Sequence, residues 1–406
     1  MFKTVLFICF AFVLSADANL LQEAIDSAPI GATIKLSAGI YKGNIVINKP
    51  ITILGKEEGV IIEGSSSQNV ITIKSSSVKL ENLKIIKSGS RLDSMDAAIF
   101  INNSQKITIQ KCVIEDSLYG IFMDNVSNSA ILNNKISSNG QDIGLRGDAL
   151  RLWFSHNNII EGNSFIKSRD IVLMRSNSNT LSNNYIQECR YAIFTEHSKD
   201  IIIDSNIIKD SAVSILLEGS RDINITKNSI AGRYGTQTNL GILFRGASNV
   251  RIESNNIWQC NQALYIDNSP KIRDTKNWIL DNRISYNTRG LNFKNESVRN
   301  VIKSNELFGN MDNIMTDSYN GKSNENEIES NYWDDYEGFD RNQDNIGDSS
   351  YKKYLYLDQL WVSNPKLLFF YGSPVLSMLN FLLKVAPFME PIFLVEDKKP
   401  IFKASY

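Results

Sequence analysis

Asparagine recurs along this chain at a spacing that few folds accommodate. An element of the form Asn-x-Ile appears at Asn134, Asn163, Asn184, Asn206, Asn228, Asn256, Asn282, Asn305 and Asn331, at intervals of 29, 21, 22, 22, 28, 26, 23 and 26 residues. A period of about 22 residues with insertions predicts a solenoid. Each turn would hold three short β strands, and stacked turns about 4.8 Å apart would bury one continuous core. Asn suits the corner of such a coil because it tolerates left-handed backbone and its amide can bond to the Asn one coil away. One Asn would be an ordinary turn residue; a regular series is not. Upstream, Ile34-Lys35-Leu36, Gly39-Ile40-Tyr41, Ile45-Val46-Ile47 and Ile51-Thr52-Ile53 have the same short alternating pattern, broken by Gly, Pro and Lys.

A second strand per coil aligns into columns. The inward positions are Ile121, Leu150, Ile171, Ile193, Ile215, Ile242, Leu264 and Leu291, and two places later Met123, Leu152, Leu173, Thr195, Leu217, Phe244, Ile266 and Phe293. A period of two turns the residues between them to solvent. The first outward column reads Phe122, Arg151, Val172, Phe194, Leu216, Leu243, Tyr265 and Asn292; the second reads Asp124, Trp153, Met174, Glu196, Glu218, Arg245, Asp267 and Lys294. A solvated face should be polar, so the apolar first column marks a contact strip. Its occupant is either a partner protein or an inserted loop or tail of the same chain. Cys189 falls at a corner where other coils place Ser117, Ser168 and Ser211, which makes it a small buried filler.

The chain has 406 residues, 42% of them hydrophobic, and a net charge of -1. That composition excludes wholesale disorder and a polytopic membrane protein, and the charge balance points to no nucleic acid partner. Two His residues exclude a His-rich metal box. Residues 1–18 carry Lys3, the apolar run Val5 to Val13 and Ala16-Asp17-Ala18, the pattern of a cleaved secretory signal peptide, with a short membrane anchor as the competing reading. Cleavage would remove Cys9 and leave Cys112, Cys189 and Cys260, too few and too scattered for a disulfide framework.

Beyond the solenoid, assigned to residues 19–333, the chain changes character. In the acidic stretch 334–361, Asp340, Asn342, Asp344, Ile346 and Asp348 match part of a calcium loop, although Asn345 stands at the usual Gly position and Tyr351 at the usual Glu. The other reading is a solvated acidic turn capping the solenoid. Residues 362–406 are apolar and Pro-containing, with Leu367 to Phe370 and a short helix expected between Pro374 and Pro387. Such a tail either docks on another protein or caps the solenoid. If it only docks, removing residues 374–406 should leave a soluble, β-rich protein.

The string Tyr332-Trp333-Asp334-Asp335-Tyr336-Glu337-Gly338-Phe339-Asp340 resembles the NosD family, as do Ile346-Gly347-Asp348, Gly147 to Trp153, Ala263 to Pro270 and the tail from Phe388 to Asp397. The resemblance spans essentially the whole mature chain. It implies a right-handed parallel β-helix of the pectin-lyase-like kind, located in the periplasm. It also implies a non-enzymatic role with an ABC transporter, made of a membrane subunit and an ATPase, and with a copper-chaperone lipoprotein. Together these assemble the copper centres of nitrous oxide reductase. Family members often carry a His-Phe-Met string in the outward columns. Here Phe194 and Glu196 hold the matching places and His197 follows, so Met174, Glu196 and His197 are the copper donors that remain. The tail would then be the anchor to the membrane subunit, and the face formed by Phe122, Asp124, Arg151, Trp153, Val172, Phe194, Leu216, Glu218, Leu243, Arg245 and Tyr265 the partner-binding face.

Two other classes stand beside this one. Many β-helices degrade or epimerise polysaccharides, and Glu196 and Glu218 on adjacent coils would lie about 4.8 Å apart, near the roughly 5 to 5.5 Å of a retaining carboxylate pair. A surface adhesin would need only the signal peptide and the repeat.

Overall fold

The computed structural model describes residues 5–6, 18–42, 44–140, 142–233, 238–316, 325–355, 373–385 and 392–404. Successive strands enter three parallel sheets in rotation, so every third strand pairs with its counterpart one coil away, in sheets of 14, 12 and 13 strands. The result is the right-handed parallel β-helix expected from the repeat. The 12-stranded sheet holds the longest strands, Ala97–Gln105 and Tyr119–Ser127. The inward columns stack in register, Met123 on Leu152, Leu152 on Leu173 and Leu173 on Thr195, and onward through Leu217, Phe244, Ile266 and Phe293. All of these side chains are buried.

The buried Asn series forms a continuous hydrogen-bonded ladder at the corner between the 14- and 13-stranded sheets. Each Asn Nδ2 donates to the Oδ1 of the Asn one coil further on, at 2.9 to 3.1 Å, from Asn134 through Asn305. The same Oδ1 also accepts the preceding Asn backbone N–H, and Nδ2 gives its second proton to a core-strand carbonyl such as Leu181 O for Asn206. Only a side chain with one acceptor and two donors satisfies a buried corner in this way. One rung differs from expectation. The ladder runs through Asn255, which is buried and accepts from Asn228 across 27 residues, whereas Asn256 is the exposed first residue of the strand Asn256–Trp258.

Cys112 stands at the same corner, one coil before Asn134, whereas Cys189 and Cys260 stand at the corner between the 13- and 12-stranded sheets. The backbone N–H of Cys112 donates to Asn134 Oδ1 at 2.9 Å, that of Cys189 to Ser211 Oγ at 3.3 Å and that of Cys260 to Asn287 Oδ1 at 2.9 Å. All three thiols are free and buried, and burial pushes their pKa values up to about 12.

Both ends are capped. Helix α1 (Ala18–Ser27) lays Leu21 and Ile25 on the first coils. The expected signal-peptide boundary, before Asn19, falls in its first turn. Gln22 pairs with the terminal strand of the 12-stranded sheet as a neighbouring backbone would, accepting from Val46 N–H at 2.8 Å and donating to Val46 C=O at 3.0 Å. At the other end Trp333 is the last core residue of the coils, its ring stacked on Tyr351 at 4.5 Å, and Leu394 and Val395 continue the core into the cap. The strand Tyr351–Leu355 pairs antiparallel with Ile392–Asp397. Asp397, fully buried, then ends the Asn ladder. It accepts from the backbone N–H groups of Ser330, Asn331 and Lys399 and from Asn331 Nδ2 and Trp333 Nε1, at 2.9 to 3.1 Å. An acceptor-only carboxylate suits a position after which there is no further coil to receive a proton.

The assignment of residues 362–406 to docking is therefore corrected in part. Residues 392–401 are cap, joined to the solenoid also by Ile401, whose N–H donates to Asn331 C=O at 2.9 Å. Leu367 to Phe370 lie outside the described residues. Helix α2 (Pro374–Val385), the short helix expected there, is present.

Three outcomes follow from this architecture. Asn206→Ala strands two donors of Asn184 and is expected to destabilise the protein by roughly 3 kcal/mol or more, since each buried polar group left unpaired costs about 1 to 3 kcal/mol. Asn256→Ala should change stability by no more than about 0.5 kcal/mol. Denaturant titration of the two variants compares them directly. Deletion of 374–406, which strips Asp397 and its strand, should give an aggregating or much less heat-stable protein, whereas deletion of 374–385 alone should retain the melting temperature. Finally, the native protein should show no reaction with a thiol reagent at mildly alkaline pH and full reaction in denaturant, because thiolate is the reactive form.

Candidate functional site on the outer sheet face

The two outward columns on the 12-stranded sheet take the predicted register. Val172 pairs with Phe194, Phe194 with Leu216, Leu216 with Leu243 and Leu243 with Tyr265, while Asp124, Trp153, Met174, Glu196, Glu218 and Arg245 follow one another beside them. Their exposure differs from expectation. Phe122, Val172, Leu216 and Leu243 are only 7, 2, 4 and 6% exposed, so the strip faces outward without meeting solvent. Large flanking side chains close over it. Phe122 packs with Leu118, Tyr119, Phe100 and Trp153, its ring 5.3 Å from that of Phe100. Leu216 and Leu243 pack with Val213, Tyr191, Phe194, Leu240 and Tyr265.

Between these two apolar clusters lies a buried ionic group that strand parity alone does not reveal. Asp148 is fully buried and receives Arg151 Nη1 at 2.8 Å and Arg169 Nε at 2.9 Å. Asp170, also buried, is held by Arg190 and by Tyr191 N–H at 3.0 Å. Burial pushes the Asp148 carboxyl above its ordinary range, against the pull of Arg169 and Arg151. Arg151 is thereby a structural residue of this face: its guanidinium is shared between Asp148 and the Trp153 ring, 5.6 Å away. The signal for the cluster was Gly147-Asp148-Ala149-Leu150-Arg151, where one charge stands just before the strand Leu150–Trp153 and the other within it.

The second column is the open one. Arg245 is exposed, with Nη1 3.6 Å from Glu218 Oε1 and Nε 3.9 Å from Asp267 Oδ2, which makes a line of alternating charge along three coils. Asp124 accepts from Asn102 Nδ2 at 3.0 Å. Met174, Glu196 and His197 come together on two adjacent coils, because Met174 pairs with Glu196 and His197 follows in a left-handed turn at φ 47°. His197 is well exposed, with Nδ1 3.6 Å from Glu196 Oε1, and its ring lies against Gly219 of the next coil. The other histidine, His156, is not a donor candidate, since its Nδ1 accepts Asn177 N–H at 2.9 Å.

The residues of the expected calcium loop bond to one another. Asp340 accepts from the N–H groups of Asp344 and Asn345, Asp344 from Ile346 N–H and Asn342 Nδ2, and Asp348 from Arg341 N–H, at 2.8 to 3.2 Å. Ile346 forms a bridge with Ile401, so the loop belongs to the cap. Among the described residues no group of three or more His, Cys, Asp or Glu stands where it could hold a metal ion. Nor, among the described residues, is any helix long and apolar enough to cross a membrane.

The family string is structural as well. Asp334 accepts from Gly309 N–H and Asn313 Nδ2, and Asp335 from Asn313 Nδ2, Tyr351 Oη and Lys353 Nζ. Tyr336 Oη donates to Ser349 C=O at 2.6 Å, and its ring occupies the space beside Gly338 and Gly347.

Comparison with known proteins places the chain. It is 25% identical over 417 residues to the "Probable ABC transporter binding protein NosD" of Pseudomonas aeruginosa, covering 97% of this chain and 94% of that one. It is likewise 25% identical over 390 residues to the protein of the same description from Stutzerimonas stutzeri, covering 91% and 86%. Among solved structures, the catalytic domain of a GH87 alpha-1,3-glucanase superposes with a TM-score of 0.56 at 14% identity, over 74% of this chain and 65% of that one, a likeness of fold alone. The family described as "Periplasmic copper-binding protein (NosD)" matches residues 133–338, half the chain and most of its coils. This chain therefore belongs to the NosD family.

Proposed function

We propose that this protein is a non-catalytic assembly factor for the copper centres of nitrous oxide reductase. It would work in the periplasm with an ABC transporter, through its membrane subunit and ATPase, and with a copper-chaperone lipoprotein. The observation that carries the reading is the family match over the coils that build the outward columns. The names of the two relatives, both described as binding an ABC transporter, support the transporter as partner.

The partner-binding face centres on the open column: Asp124, Trp153, Glu218 and Arg245, with the half-buried rings of Phe194 and Tyr265 at its edge. Phe122, Val172, Leu216 and Leu243 shape that face from beneath. Copper is cargo here, not a resident cofactor. Met174, Glu196 and His197 supply one thioether, one carboxylate and one imidazole, a thin donor set that suits Cu(I) in transit, because a metal that must leave again should not be fully enclosed. The carboxylates give little support to glycan cleavage. Glu196 stands beside His197 and Glu218 beside Arg245, both partly open to water and not enclosed in an apolar pocket of the kind that holds a general acid.

Anaerobic titration with Cu(I) against a competing chelator tests the donor set. The expected result is weak binding that falls roughly tenfold or more when Met174→Ala and His197→Ala are combined. Binding unchanged by the double substitution removes these residues from the copper path, and failure of the wild type to co-purify with the transporter removes the assembly role itself.

A further inference from the structure

Helix α2 (Pro374–Val385) carries the most exposed apolar side chains clustered anywhere in the described chain. Val375, Met378, Leu379, Phe381 and Leu382 are 68, 64, 37, 63 and 44% exposed. At 100° per residue these five fall on one arc of the helix surface. Leu383, to one side of that arc, is buried. The helix therefore sits with one edge against protein and an apolar face turned outward.

The chemistry of that face decides its partner. A protein interface concentrates its binding energy in Trp, Tyr and Arg with matched polar contacts, and the helix sequence PVLSMLNFLLKV contains none of the three. Its outward residues are flexible aliphatics and one Phe, which suit a fluid apolar medium. Between Asp358 and Glu390 the sequence has no acidic residue, and its only charges are Lys366 and Lys384, so this stretch is positive in a chain whose net charge is -1. A positive, acid-free segment around an apolar helix face fits the headgroup region of an anionic bilayer. With 12 residues and a rise of about 1.5 Å each, the helix is too short to span the roughly 30 Å hydrocarbon core.

We infer that helix α2 lies in the membrane interface, its apolar face in the lipid surface, and holds the capped solenoid close to the bilayer. The inference deepens the proposed function, on which it rests for the presence of a membrane partner. The cap formed by residues 392–401 is separate in sequence, so the helix can serve the membrane while the fold stays closed.

The test uses the mature full-length protein and vesicles of phosphatidylethanolamine and phosphatidylglycerol. Wild type is expected to float with the vesicles. Phe381→Asp combined with Leu382→Asp should lose partitioning by roughly tenfold or more while keeping the melting temperature. A second variant guards against misfolding: Met378→Cys, labelled with an environment-sensitive dye, should shift to the blue on adding vesicles, and the buried native thiols leave that label selective. Failure of wild type to float, or equal flotation by the Asp variant, overturns the inference. Pull-down on the detergent-solubilised transporter separates the two ideas. If the Asp variant binds the transporter but not vesicles, the lipid assignment stands. If wild type binds the transporter only through this helix and never vesicles, the helix docks on the membrane subunit, and the lipid assignment fails while the assembly role survives.

Discussion

The buried amide ladder is the interaction on which the rest of this structure depends. An apolar solenoid can be stacked from any Ile-rich strands, but each corner leaves backbone groups facing inward, away from water. Asn meets that need at one corner of successive coils, because each carboxamide accepts two protons from the coil before it, donates one to the next Asn and returns the other to a carbonyl of the coil before. Unmet groups of this kind are costly, so the ladder fixes register: a coil displaced by one residue would leave donors and acceptors unpaired through its neighbours. The outward columns, and every contact made on that face, inherit their alignment from it.

Much of this was legible in residue order, because the underlying periods are local. Alternation by two sorted Met123 inward and Met174 outward, and the structure agrees on both. Misreading Asn256 for Asn255 has a simple cause: two adjacent Asn residues both suit the spacing, and only the face each presents tells them apart. The burial of Val172 and Leu216 was not legible for another reason. Parity says which side of a sheet a residue occupies and nothing about what its neighbours lay across it. Asp397 was beyond reach altogether, as its partner Asn331 is 66 residues away and no periodicity connects them.

The string from Tyr332 to Asp340, which carries the resemblance to the family, is devoted to closing the solenoid. Trp333 is the last core side chain of the coils, Asp334 and Asp335 pin Asn313, Lys353 and Tyr351, and Tyr336 organises the following turn. These contacts hold the cap together, so the string is accounted for by structure and names no chemistry. The residues on which the proposed function rests lie elsewhere, in the open column of the coils, where Arg245 and His197 reach solvent.

The direction of the ladder has a temporal consequence. Its Nδ2 donors point from Asn134 toward Asn331, and the final acceptor is supplied by Asp397, close to the end of the 406-residue sequence. A polypeptide that emerges N-terminus first can stack its coils as they appear. Until its final residues arrive, however, the growing end presents the donors of Asn331 and the indole N–H of Trp333 with nothing to receive them. Closure is thus deferred nearly to the end of emergence, and a chain cut short anywhere between Trp333 and Asp397 leaves a long, nearly finished solenoid with an adhesive tip. Quality control of such a protein reduces to one question, whether a single carboxylate has reached its place.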